Sequence, residues 1–112
     1  MLYLAIALFA VAAVLGLTIL VKWLTHKNAP RGVVYSHGLV AATALVLLAV
    51  FALQHPDNFP KVSLILFLIA ALGGFYLFFQ DTIKKSNPVA IALVHALLAV
   101  SGFVALLLFV FA

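Results

Sequence analysis

Residues 37–46, His37-Gly38-Leu39-Val40-Ala41-Ala42-Thr43-Ala44-Leu45-Val46, return fifty-eight positions later as His95-Ala96-Leu97-Leu98-Ala99-Val100-Ser101-Gly102-Phe103-Val104. Every partner in this pairing is identical or similar in type. Without gaps, the same offset aligns Gly16 with Gly74, Lys27 with Lys85 and Pro30 with Pro88, and thirteen of its fifty-four pairs are identical. Two Leu/Ala-rich segments align by composition alone, but composition does not place a histidine and a proline in one register. The chain therefore reads as an internal duplication, with repeat one over about 1–54 and repeat two over about 59–112.

Each repeat holds two long apolar stretches. Of the 112 residues, 69% are hydrophobic and 7% charged, where soluble domains run near half apolar and a quarter charged. Mean hydropathy is +1.40, so the solvent that suits this surface is the hydrocarbon of a lipid bilayer. Spans are expected at Leu2 to Leu24, Val33 to Leu53, Val62 to Phe79 and Val89 to Phe111. The breaks are punctuated by Asn28-Ala29-Pro30-Arg31-Gly32, Pro56-Asp57-Asn58-Phe59-Pro60 and Ser86-Asn87-Pro88, turn-forming runs too short for anything but antiparallel neighbours. The expected fold is an all-α membrane protein, a single four-helix transmembrane up-down bundle of two repeated hairpins. An even number of spans per repeat gives both copies one orientation, related by an axis along the membrane normal. The first stretch lacks the basic n-region of a signal peptide and is long for its apolar region, so it reads as a retained span.

Every charged side chain lies at or near a boundary between stretches. Lys22, Lys27, Arg31, Lys84 and Lys85 face a single acid, Asp81, on the side of loops one and three, whereas loop two offers only Asp57 and Lys61. This basic bias places loops one and three in the cytoplasm and both termini outside, the expected setting being a bacterial inner membrane. The same confinement of charge argues against nucleic acid as a partner. With no cysteine in the chain, disulfides, thiolate metal sites and iron–sulfur clusters are excluded.

Ionisable residues inside spans are costly and turn toward something functional. His37 and His95 each follow a proline by seven residues, so at about 1.5 Å per residue their imidazoles share one depth. They stand on diagonal helices, whose axes lie about 11–14 Å apart when neighbours are about 8–10 Å apart. Rings so placed do not hydrogen-bond directly, and something must fill the space. Haem iron takes four ligands from its porphyrin and two axial ones from protein; structural zinc wants about four protein ligands, and no third is available at this depth. Ala41 and Ala44 at i+4 and i+7 from His37, Ala99 and Gly102 in the second repeat, and Gly16 and Gly74 on the other helices would make room for a flat macrocycle. Such residues also serve ordinary packing between membrane helices. Arg31, with a planar fork suited to carboxylates, is the candidate partner for haem propionates, and Thr18 and Tyr76 are candidate hydrogen-bond partners near the histidines. His26 and His55 lie in loops, where a solvated side chain is the default.

A histidine pair on two parallel spans of a four-helix bundle resembles the membrane b-type cytochromes. That resemblance implies haem b, its iron bound by His37 and His95, and one-electron transport with a quinone or redox protein as partner. Members with two haems need four bundle histidines; here only two fit. The span count also looks like that of the small multidrug transporters, but their carboxylate in the first span has no counterpart here. Three readings stay open: an electron carrier more than a substrate-converting enzyme, a haem transport or sensing protein, and a non-catalytic subunit or homodimer packing within a larger membrane complex.

Overall fold

The computed structural model describes all 112 residues. Four helices account for most of them: α1 (Leu2–Leu24), α2 (Arg31–Gln54), α3 (Lys61–Phe79) and α4 (Val89–Phe111). Pro30, Pro60 and Pro88 stand immediately before α2, α3 and α4. There a missing N–H costs nothing, because the first turn has no partner for it. All four helices are long and apolar enough to cross a membrane, and the molecule is 44 Å along its longest axis, against about 30 Å for a hydrocarbon core. Only 17 of 112 residues are buried within the chain, so most of the apolar surface faces outward to lipid.

The helices form a ring in chain order. α1 packs chiefly on α2 and α3 on α4; the two hairpins meet along α1–α4 and α2–α3, and the backbones of the diagonal pairs stay apart, so only side chains meet across the centre. Matched positions of the repeats are buried together: Ala5 with Ser63, Phe9 with Phe67, Ala12 with Ala70, Val34 with Ala92, Ala44 with Gly102 and Leu48 with Leu106. On the pseudo-twofold axis the Phe9 and Phe67 rings stack on one another, centroids 3.9 Å apart and planes within 1°. Ala5, Ala44, Leu48 and Leu106 complete this cluster and seal the half of the bundle that carries the termini.

One departure from expectation lies at the end of α3. The sequence was divided after Phe79, but Gln80–Lys84 continue the helix as a π turn. In repeat one, α1 ends in a Schellman closure: His26 takes a left-handed conformation (φ 59°), and Lys27 N–H bonds Lys22 C=O five residues back. In repeat two, the left-handed residue is Lys85 (φ 56°), and Ser86 N–H reaches six residues back to Gln80 C=O. The π turn thus absorbs one additional residue into the helix, and the loop before Pro88 is shorter by one. His26 therefore has a backbone role, and His55 caps α2 by stacking on Phe51 (4.1 Å), with Nδ1 3.1 Å from the Phe51 carbonyl oxygen.

Candidate functional site

His37 on α2 and His95 on α4 turn inward and face each other across the bundle, their ring centroids 6.4 Å apart and their planes at 83°. Both line a single cavity of about 820 Å³ bounded by all four helices, within the range typical of cofactor sites. Its lining is almost wholly apolar, and small residues dominate at histidine depth: Ala12, Ala13 and Gly16 on α1, Ala41 on α2, Ala70, Ala71 and Gly74 on α3, and Ala96 and Ala99 on α4.

The imidazoles are held identically in the two repeats. His37 Nδ1 lies 2.8 Å from the carbonyl oxygen of Ala12, and His95 Nδ1 lies 2.7 Å from that of Ala70. A carbonyl only accepts, so Nδ1 carries the proton and donates, which leaves Nε2 of the neutral ring as a bare lone pair. Neither Nε2 has a hydrogen-bond partner within the chain. This is the arrangement by which proteins fix the tautomer and orientation of a metal-binding imidazole. Gly16 and Gly74 make the arrangement possible. A Cβ at Gly16 would stand 2.9 Å from His37 Cε1, and one at Gly74 would stand 3.2 Å from His95 Cε1. Those glycines admit the imidazoles themselves, rather than the edge of a macrocycle.

The spacing can be tested against a linear bis-imidazole ligand set. A metal–imidazole bond of about 2.0–2.1 Å, with about 1.1 Å from nitrogen to ring centre, places two centroids about 6.3 Å apart. The observed 6.4 Å between centroids matches that separation, and both rings line the cavity. No group of three or more His, Cys, Asp or Glu side chains gathers anywhere in the chain, so the two imidazoles have no third such donor beside them.

Of the residues singled out from sequence, His37, His95, Ala41, Ala99, Gly16 and Gly74 come together around the cavity. Ala44 and Gly102 do not. Ala44 is fully enclosed in the packed cluster, and Gly102 gives way to the Phe67 ring, whose atoms would lie 3.3 Å from a Cβ there. Depth is not the reason, since Leu45, Val46, Ala49 and Phe103 still line the cavity; both positions face the packed centre around the Phe9–Phe67 stack instead. Arg31 also lies off the cavity: it pairs with Asp81 and bonds Thr82 Oγ1 at 3.1 Å, so its guanidinium is already committed to partners within the chain. Thr18 bonds its own helix at Val14 C=O (3.0 Å), and Tyr76 is exposed; the histidines' partners are the two backbone carbonyls instead. Sequence reasoning missed Phe9, Phe67 and Asp81. The phenylalanines stand in the fifty-eight-residue register and were findable there.

No family model, no curated protein and no solved structure matches the chain.

Proposed function

We propose that this chain is a membrane haem protein of the b type, carrying single electrons through a haem bound between His37 and His95. The observation that carries this reading is the pair of unpartnered Nε2 atoms on rings fixed through Nδ1 and spaced for linear ligation. His37 and His95 would hold the haem iron, and the group would supply a one-electron couple there. The protein's own part is to orient and to exclude. The Ala12 and Ala70 carbonyls keep each Nδ1 proton in place and leave each Nε2 free to bind, and the Phe9–Phe67 stack closes the cavity toward the termini. Small residues at histidine depth leave room that larger ones would fill.

The basic loops one and three lie in the cytoplasm in this reading, with both termini outside, as in a bacterial inner membrane. Electrons are exchanged with a membrane quinone or a redox protein, and the outward apolar faces suit either a homodimer or a place in a larger membrane complex. Visible spectroscopy of the detergent-solubilised protein with added hemin tests the proposal. A Soret band and sharp α and β bands on reduction are expected, lost in His37→Ala and His95→Ala and retained in His26→Ala and His55→Ala. A preparation that stays colourless with hemin would leave only a packing subunit. A redox titration with quinol reduction separates an electron carrier from haem transport or sensing.

A further inference from the structure

The two hairpins are joined very differently on their two sides. On the α1–α4 side at the cytoplasmic end, Trp23 packs with Leu77, Ala92 and Val89 in an apolar seam. The fifty-eight-residue register maps Trp23 onto Asp81 and Val89 onto Arg31, so the equivalent position on the α2–α3 side is an ion pair. Arg31 supplies every side-chain hydrogen bond that crosses between the hairpins, to Asp81 and to Thr82; all others are made within a hairpin. Asp81 itself lines the histidine cavity, is buried, and is held on its other oxygen by Asn87 Nδ2 at 2.7 Å. Its place on the π turn sets it apart from an ordinary continuation of α3, and such turns are frequent at functional sites.

We infer that the Arg31–Asp81 pair is a latch over an aqueous entrance to the cavity, on the α2–α3 side of its cytoplasmic end. The apolar seam opposite acts as the fixed edge. Opening costs little on the Arg31 side, because that side chain is 44% exposed and swings into water or among phosphate head groups. It requires no helix to unfold, since beside the edge contact of the Tyr35 and Phe78 rings (5.8 Å) only the ion pair and the Thr82 bond bridge the gap. Asn87 keeps the Asp81 carboxylate partnered while Arg31 is away. The guest admitted by this route is amphipathic and reaches the membrane from the cytoplasm; its identity as haem rests on the function proposed above, but the latch does not.

The chain has no cysteine, so a single Ala41→Cys places one thiol on the cavity wall, and a charged, membrane-impermeant maleimide reads aqueous access to it in haem-free protein in liposomes. Asp81→Asn and Arg31→Gln are each expected to raise the labelling rate about tenfold, between the few-fold of an exposed ion pair and the hundreds of a fully buried one. The exchanged pair Arg31→Asp with Asp81→Arg should return the rate toward that of the parent, and Val89→Ala on the opposite seam should leave it unchanged. Unchanged labelling in Arg31→Gln, or an equal rise in Val89→Ala, overturns the latch. Should Asp81→Asn fail to fold, judged by elution and Trp23 fluorescence, Arg31→Gln and the exchanged pair carry the test. Loss of every haem band with the labelling pattern intact would reject the haem reading alone; the reverse would reject the latch alone.

Discussion

Toward the chain termini, Phe9, Phe67, Leu48 and Leu106 pack together between the four helices; toward loops one and three the same helices border a partly open hollow of about 820 Å³. The helix path is continuous through both regions. What changes is side-chain volume at matched central positions: Phe9 with Phe67 and Leu48 with Leu106 at the packed end, Ala12 with Ala70 and Gly16 with Gly74 beside the histidines. A hollow forfeits dispersion contacts along its whole lining, and in a bilayer the association of helices depends on that packing. Two copies of the same small-residue pattern, each beside a fixed imidazole, are what the proposed haem site rests on.

The largest effect comes from making the hollow resemble the solid end. Ala71→Phe places a ring in the cavity, one turn from Phe67 and so on top of the Phe9–Phe67 stack. Hemin binding is expected to disappear, while circular dichroism and elution from a sizing column stay those of the parent. Binding at parental affinity would place the guest outside this cavity. The converse substitution hollows the solid end. Leu48→Ala or Leu106→Ala should cost about 2–5 kcal/mol of unfolding free energy, as deletions in packed cores do, whereas Leu39→Ala on the lipid face should stay within about 0.5 kcal/mol. Reversible unfolding in mixed detergent micelles measures both. Equal losses at Leu48 and Leu39 would mean that the two ends do not differ in packing.

The solid end and the hollow end were not equally legible from sequence. Apolar run length and proline placement locate all four helices, since a bilayer imposes those lengths directly. The duplication brought out the histidine pair and its common depth, because register survives where composition blurs. What sequence hid was the division between floor and cavity. Ala41 and Ala44 look alike on one helix face, and only the two stacked phenylalanines, brought together from α1 and α3, decide that Ala41 faces a void and Ala44 faces a wall. The histidines' acceptors were hidden for another reason: a backbone carbonyl carries no residue signature. The π turn is equally silent, being a change in which carbonyl accepts, and it brings Asp81 to Arg31 from fifty residues away.

The finest comparison is between the two repeats at the histidines themselves. His37 has less room than its counterpart: a methyl at Gly16 would meet Cε1 at 2.9 Å, one at Gly74 at 3.2 Å. Neither ring moves away freely, because each is tied through Nδ1 to a carbonyl at 2.7–2.8 Å and would lose that bond on retreating. Overpacking by one methyl costs about 1–3 kcal/mol, and Gly16→Ala belongs at the upper end of that range and Gly74→Ala at the lower. Hemin affinity should therefore fall by about two orders of magnitude in the first and several-fold in the second. Displacement of one imidazole would also shift the low-spin electron paramagnetic resonance signal, more for Gly16→Ala than for Gly74→Ala. Equal shifts would show that the repeats hold their rings with the same slack, and that the tighter approach at Gly16 is relieved by a movement of α1 against α2.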